Sequence, residues 1–133
     1  MKDADRRFLI GLFDSAVAAA DPYHTLAAHM PTPPKGRTIV IGAGKGSAQL
    51  AAAFEKLWQG PLEGVVVTRY GFGCPTTKIK VLEASHPVPD EAGLNASHSL
   101  FNAVKNLNQD DLVVALISGG GSALLPMPAN TLT

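Results

Sequence analysis

The sequence predicts an α/β fold, in which a parallel sheet of about four strands is flanked by helices. Helical and strand-like patterns alternate along the chain, which is typical of this class. The strand-like segments are short apolar runs, as expected for strands covered on both faces. Two glycine-rich stretches directly follow two of these runs. The length of 133 residues suits one domain, residues 1–133. We expect a doubly wound sheet whose strands are joined by right-handed crossovers.

The first third of the chain is predicted to be mainly helical. Residues 3–20 carry apolar side chains at helical spacing. Asp21 and Pro22 are typical of an N-cap and a first helical position, so a short second helix is expected to run to about residue 30. A stiff, proline-rich connector over residues 31–36 then leads to the sheet.

Four strands and two further helices are expected after the connector. The strands are predicted at residues 37–41, 64–68, 78–83 and 111–117, and the helices at residues 45–58 and 90–107. The third strand alternates enough to lie near an edge, whereas the first and fourth have the pattern of fully buried strands. We expect Phe101 to face inward, and Trp58 and the phenylalanines to belong to the core.

Composition excludes several classes of function. The 11 basic and 11 acidic residues cancel, so no excess positive charge points to nucleic acid or an anionic membrane. No apolar run approaches the length of a membrane span. The single cysteine, Cys74, excludes an internal disulfide and a cysteine-based metal site. These features predict a soluble, cytoplasmic protein.

The strongest chemical signal is the stretch Gly-Ala-Gly-Lys-Gly-Ser at residues 42–47, between the first strand and a helix. Such a turn points free N–H groups and the positive end of the helix dipole at one place. Lys45 adds a full positive charge there, where it opposes the dipole unless an anion is bound. We interpret the turn as an anion site, most simply for phosphate. The alternative is a turn that uses glycine only to bring helix and strand close.

Named phosphate motifs fit this turn poorly. A P-loop needs a glycine at the position of Ile39, and Gly46 interrupts the Lys-Ser pair. The dinucleotide fingerprint matches Gly42 and Gly44, but Ser47 takes the place of its third glycine. Its acidic ribose ligand is replaced near residue 69 by Arg69, which could serve a 2′-phosphate, so NADP stays open.

Further candidates follow the third and fourth strands and should meet the first turn at the carboxyl edge of the sheet. The second turn could cradle an anion with backbone N–H groups and hydroxyls, or be only a flexible loop end. It consists of Ser118, Gly119, Gly120, Gly121 and Ser122. His86 could be a general base or a structural histidine, and Asp90 is most simply a helix cap that could also bind a ligand.

Three stretches together resemble the type II glycerate kinases, the MOFRL-associated glycerate 2-kinase family. They are residues 41–47, the His-Pro-Val-Pro-Asp stretch beginning at His86, and residues 116–126. The resemblance covers essentially the whole chain and implies a Rossmann-like domain. Some members of this family carry the name hydroxypyruvate reductase.

The resemblance implies ATP-dependent phosphorylation of D-glycerate to 2-phosphoglycerate, with Mg²⁺. Lys45 matches the lysine of the family's active cleft and would stabilise the transferring phosphoryl group. The glycines and serines of the two turns, Gly42, Gly44, Ser47, Ser118, Gly119, Gly120, Gly121 and Ser122, would hold nucleotide phosphates or the substrate carboxylate. His86 and Asp90 would line the cleft, and glycerate and a nucleotide would be the partners of the full-length enzyme.

Members of this family are much longer, and their site lies between this domain and a second one. We therefore expect an N-terminal domain, truncated relative to the family, without turnover by itself, because half a cleft neither excludes water nor closes around a reactant. Two other functions stay open. One is an NAD(P)H-dependent hydroxypyruvate reductase. The other is a non-catalytic folded fragment that self-associates through apolar surface.

Overall fold

The computed structural model describes residues 2–129 and confirms the α/β class. The helices are α1 (Asp3–Ala19), α2 (Pro22–Thr25), α3 (Ser47–Leu57) and α4 (Glu91–Ala103), with a 3-10 turn at Ala27–His29. The strands are β1 (Thr38–Gly44), β2 (Glu63–Arg69), β3 (Ile79–Ala84) and β4 (Leu112–Ser118). No helix within residues 2–129 combines the length and apolar character that crossing a bilayer would require.

All strand pairs are parallel, and the order across the sheet is β3-β2-β1-β4. The chain steps outward from β1 to β3 and then crosses to the other side of β1. The direction of winding therefore reverses between β1 and β4. In open α/β sheets, ligands bind beyond the carboxyl ends of the strands at such a reversal point. This is a Rossmann-like arrangement.

Two layers of helix cover the sheet and form two hydrophobic clusters. On one face α3 packs Phe54 and Trp58 against Val40, Val66 and Leu116. On the opposite face α4 covers a second cluster, which contains Ala43, Val67, Ala84, Ala96 and Leu124. Leu124 comes from the segment after β4, so that segment is fixed against the carboxyl edge of the sheet.

One of the two edge strands, β3, was predicted from the sequence, and the other, β4, was not. β3 is an edge strand, as its alternation indicated, and β1 is almost entirely buried. The prediction that the fourth strand is buried on both faces was wrong, because β4 is the other edge strand and α4 packs mainly against β2 and β3. On that uncovered face Val113 is 36% exposed and Ile117 is 60% exposed.

Two helices present apolar side chains to solvent. α1 is the amphipathic helix that the spacing predicted, but none of its residues is buried, and Phe8 and Phe13 are exposed. Phe101 of α4 is also exposed, so its expected inward orientation was wrong. The expectation that the phenylalanines form the core holds for Phe54 alone among those the structure describes, since Phe72 is exposed too. Spacing identifies a face, but what covers it depends on tertiary packing.

Element boundaries shift where glycine is present. Asp21 caps α2 as predicted, with its Oδ1 accepting from the Tyr23 N–H at 2.9 Å. β1 extends to Gly44, beyond the predicted end at residue 41, because Gly42 and Gly44 stay in register with Leu116 and Ser118 of β4. Consequently α3 begins at Ser47, two residues later than expected.

Candidate functional site

The two glycine-rich turns meet at the reversal point between β1 and β4. Gly44, at the end of β1, lies in register with Ser118, at the end of β4. The N–H of Gly46 donates to the Ser118 Oγ over 3.1 Å. The structure therefore brings residues 42–47 and 118–122 together, as the sequence predicted from their places after the strands.

The contact between these turns requires glycine. Gly44 has φ +125°, and a Cβ built on it would lie 2.1 Å from the Ser118 carbonyl oxygen. A Cβ on Gly46 would lie 2.7 Å from the Ser118 Oγ, and one on Gly121 would lie 3.0 Å from the Cβ of Ala43. These distances show that close backbone approach, and not glycine flexibility alone, explains the composition of the first turn.

Ser47 begins α3 and is completely buried. Its hydroxyl lies 2.8 Å from the Gly44 carbonyl oxygen and 2.6 Å from that of Val67 on β2. Ser47 therefore ties the helix to two strands, the close helix-to-strand packing that the third glycine of a dinucleotide fingerprint provides. Its hydroxyl is used within the protein, which leaves its backbone N–H as the group to face an anion.

Lys45 stands at the apex of the first turn, and its side chain is exposed. Its carbonyl oxygen accepts from the hydroxyl of the fully buried Thr68 at 3.1 Å, so the backbone beneath the side chain is fixed to β2. Within the described residues, the N-terminus of α3 has no side-chain cap. A positive side chain and uncapped helix N–H groups thus share the carboxyl edge of β1, an arrangement that favours an anion.

The second turn is more open. Gly119 has φ +67°, and a Cβ on either Gly119 or Gly120 would meet no atom within 4 Å. Gly119, Gly120 and Ser122 are all exposed. The turn closes where the N–H groups of Leu124 and Leu125 donate to the Gly121 carbonyl at 3.0 Å. Its far end is thus anchored by the buried Leu124, while its near end faces solvent beside the first turn.

Asp90 caps α4, as its sequence context indicated. Its Oδ1 accepts from the N–H of Gly93 at 2.9 Å and of Ser85 at 3.3 Å, and its Oδ2 accepts from the Tyr70 hydroxyl at 2.7 Å. The Tyr70 hydrogen bond, and after it the Gly93 N–H, lower the pKa of Asp90 below its usual range. The same bond raises the pKa of Tyr70. Both carboxylate oxygens are therefore engaged inside the protein.

His86 and Asp90 lie at the same edge of the sheet but after β3, two strands away from β1. Strands are spaced about 4.8 Å apart, which puts β3 roughly 10 Å from β1. This part of the chain nevertheless approaches the segment that follows the second turn. Asp90 and Leu94 line a small depression of about 230 Å³ together with Pro126 and Pro128 of that segment. Their place as cleft-lining residues stays a prediction.

The sequence predicted a role for Arg69 only if a 2′-phosphate is bound, and it predicted that Phe72 belongs to the core. At the end of β2, the guanidinium of Arg69 lies 3.6 Å from the centroid of the Phe72 ring. Its Nε is buried and has no hydrogen-bond partner within residues 2–129. This pair adds a second cation, held against an aromatic ring, to the carboxyl edge. The basic residue at the strand end was the available signal; its aromatic support was not visible in the pattern.

The described residues do not form a metal site by themselves. Across residues 2–129, no three side chains of the His, Cys, Asp and Glu types are grouped to hold an ion. Both oxygens of Asp90 already accept hydrogen bonds from the protein. Cys74 is partly buried, and burial raises the pKa of its thiol, in keeping with an unreactive side chain. We therefore assign no metal ligand within this part of the chain.

Comparison with known proteins finds relatives that are named hydroxypyruvate reductase and relatives that are named glycerate 2-kinase. An Agrobacterium vitis protein that carries the provisional name hydroxypyruvate reductase is 52% identical over 129 residues, 96% of this chain and 30% of that protein. The D-glycerate 2-kinase of Thermotoga maritima is 34% identical over 92% of this chain and 30% of its own length. The chain spans about a third of the length of these relatives.

Solved structures agree with the sequence relatives. The crystal structure of a glycerate kinase from Thermotoga maritima superimposes with a TM-score of 0.86 at 29% identity, covering 99% of this chain and 32% of that one. A Pyrococcus horikoshii protein superimposes with a TM-score of 0.82 at 33% identity, covering 96% of this chain and 32% of that one.

A family model described as a domain of unknown function, DUF4147, matches residues 8–133. The match contains both glycine turns, all four strands and Lys45. Together with the glycerate kinase relatives and structures, this match confirms the resemblance to the N-terminal domain of glycerate kinases. The chain belongs to the DUF4147 family, whose model it matches almost from end to end.

Proposed function

We propose that this chain forms the phosphate-binding wall of a glycerate 2-kinase active site. The observation that carries the proposal is the contact between the two glycine turns at the reversal point, with Lys45 and the uncapped N-terminus of α3 beside it. The glycerate kinase names of relatives from several organisms support the substrate class.

The proposed reaction transfers the γ-phosphoryl group of ATP to the 2-hydroxyl of D-glycerate. The bond from the γ-phosphorus to the bridging oxygen breaks, a bond to the 2-oxygen forms, and the hydroxyl proton is released. Negative charge grows on the transferring group and the leaving oxygen. Lys45 would neutralise part of that charge, and the N–H groups at the start of α3 would hold phosphate oxygens.

The second turn is assigned to binding. Gly119 and Gly120 are exposed beside the first turn, and Ser122 adds an exposed hydroxyl to the same turn. These groups could hold the remaining nucleotide phosphates or the glycerate carboxylate. Arg69 lies at the end of β2 with its guanidinium over the Phe72 ring, and it could bind a carboxylate through a bidentate pair of hydrogen bonds. His86 lines the outer part of the cleft in this proposal.

The chain alone is expected to lack turnover. It spans about 30% of the length of the Thermotoga maritima enzyme, and its carboxyl edge is open to solvent. Phosphoryl transfer needs a closed site that excludes water. The proposal includes a cytoplasmic location, which the use of ATP and the single cysteine favour.

A hydroxypyruvate reductase is the second candidate, favoured by the provisional names of the two Agrobacterium vitis relatives. Ser47 takes the packing role of the third fingerprint glycine, and Arg69 stands where a 2′-phosphate would bind in an NADP site. The absence of the usual acidic ribose ligand at the end of β2 weighs against NAD.

A hybrid protein separates these functions. This chain replaces the matching segment of the 52% identical Agrobacterium vitis relative, and the purified hybrid receives either ATP with D-glycerate or NADPH with hydroxypyruvate. We expect ADP and 2-phosphoglycerate in equal amounts, and no NADPH oxidation. Oxidation of NADPH without ATP consumption would replace the kinase proposal with the reductase.

A further part of the proposal concerns partners of the chain by itself. α1 has no buried residue, although Leu9, Leu12 and Phe13 form an apolar stripe that is more than half exposed. The uncovered face of β4 offers a complementary apolar surface through Ile117. In proteins, most helical stability comes from tertiary packing of the apolar face.

We therefore expect the isolated chain to self-associate through α1. Light scattering after gel filtration should give a mass above the 13.8 kDa of the monomer. The double variant Leu9→Lys with Phe13→Lys should be monomeric, while Asp14→Lys, on the polar side, should behave as wild type. A monomeric wild-type chain at high protein concentration would exclude this mode of association.

A further inference from the structure

A basic cleft lies at the amino ends of the strands, at the edge opposite the glycine turns. It has a volume of about 690 Å³ and is bounded by the starts of β1, β2 and β3 and by the end of α4. Its rim carries Arg37, Glu63, Lys78, Lys80, Asn102 and Lys105, and its floor is formed by Ile39 and Val65. Its volume is within the usual range of small-molecule sites.

The floor of the basic cleft consists of two side chains of the sheet that are apolar and buried. Ile39 is 1% exposed and Val65 is 6% exposed. Lys80 pairs in register with Val65, so both side chains lie on the α4 side of the sheet. The floor is thus bordered by a cation on one side and by the polar end of α4, with Asn102, on the other.

The basic side chains around this floor differ in whether they form ion pairs. The Nη1 of Arg37 lies 3.6 Å from Oε1 of Glu63, and its Nη2 lies 3.2 Å from Oδ2 of Asp111. That guanidinium is therefore flanked by two carboxylates, one of which, the exposed Glu63, itself lines the cleft. Within the described part of the chain, no carboxylate oxygen lies within 4.0 Å of Lys78, Lys80 or Lys105.

Ordinary structural roles explain only part of this charge. Lys105 lies two residues beyond α4, where a cation interacts favourably with the helix dipole. Lys78 and Lys80 stand at the start of an edge strand, where lysine also discourages strand pairing. Neither role requires three lysines without an ion pair, among residues 2–129, to border a single depression.

We propose that the basic cleft binds a small phosphorylated molecule that carries at least two negative charges. Its phosphate oxygens would accept from Lys80 and Lys105. This site is separate from the glycine turns, because strands of six or seven residues hold the two edges roughly 20 Å apart. It therefore does not depend on the kinase proposal.

Amide-resolved NMR of the ¹⁵N-labelled chain tests the proposal, with inorganic pyrophosphate as the probe. We expect saturable shifts in the amides of residues 99–106, weakened by added salt because the contacts are exposed to solvent. The double variant Lys80→Gln with Lys105→Gln should bind at least about five-fold more weakly. The matched control Lys56→Gln removes an exposed lysine from α3 and should stay within about two-fold of wild type.

Each other result overturns the proposal. Shifts confined to residues 42–47 would show that pyrophosphate binds only at the glycine turns. Equal weakening in Lys56→Gln would show unspecific attraction between charges. Tighter binding of a single-stranded oligonucleotide at equal charge concentration would make the basic cleft part of a nucleic-acid surface. The variant spectra themselves report folding, since resonances far from the substitution should not move.

Discussion

The contact between the two glycine turns can be tested by adding one methyl group. Gly44→Ala puts a Cβ at a φ of +125° and 2.1 Å from the Ser118 carbonyl oxygen. The backbone conformation costs about 1–3 kcal/mol for a residue other than glycine. Displacing the neighbouring strand end adds about 1–3 kcal/mol. We therefore expect the free energy of unfolding to fall by about 2–6 kcal/mol, which lowers Tm by roughly 8 °C or more.

Two nearby glycines give graded controls for this substitution. Gly119 has a φ of +67° but open space around the added Cβ, so Gly119→Ala should cost only about 1–2 kcal/mol. At Gly120, φ lies outside the left-handed region and no atom is within 4 Å, so Gly120→Ala should change stability by less than about 0.5 kcal/mol. Urea unfolding followed by circular dichroism measures all three. Equal losses in the three variants, or a stable Gly44→Ala, would refute the close approach of β1 and β4.

Three further predictions concern the surroundings of the site. Burial raises the pKa of Glu55, but hydrogen bonds from the Thr77 hydroxyl and from three backbone N–H groups outweigh it and lower the pKa to about 2 from 4.5. Its folded-state pKa is depressed, so about 1–2 kcal/mol of stability after solvent screening should be present above pH 4.5 and lost as pH falls toward 2. Urea unfolding across this range should show that loss, and Glu55→Gln should remove that part of the pH dependence; an unchanged slope would contradict it. Tyr70→Phe should raise the pKa of Asp90 in a carboxyl NMR titration, and an unmoved titration would rule out the hydrogen bond as its cause. Phe54→Ala should cost about 3–5 kcal/mol in thermal unfolding, whereas the exposed Phe101→Ala should cost little, and similar losses in both would invalidate the assignment of the core.

Local chemistry made much of the fold predictable from sequence. Asp21 and Asp90 were identifiable as caps because capping needs only the residue and the few that follow it. The edge position of β3 followed from its alternation. The glycine turns were expected at one sheet edge because parallel strands end on the same side.

Non-local geometry set the limit of sequence reasoning. An apolar run does not reveal which strand is last in the sheet, so the exposure of Ile117 was missed. The need for glycine at residue 44 comes from Ser118, 74 positions later in the chain. The engagement of Asp90 by Tyr70 likewise depends on two loops that meet only in the folded sheet.

The role of Lys45 is the most direct test of the proposed function. In the hybrid protein with the Agrobacterium vitis relative, Lys45→Ala should lower ATP-dependent formation of 2-phosphoglycerate by roughly 100-fold or more. Its Tm should stay close to that of the parent, because the side chain is exposed. Lys56→Ala, a matched exposed lysine on α3, should leave the rate unchanged. A Lys45→Ala hybrid that phosphorylates glycerate at the parent's rate would contradict the assignment of the carboxyl edge of the sheet as the phosphate-binding wall.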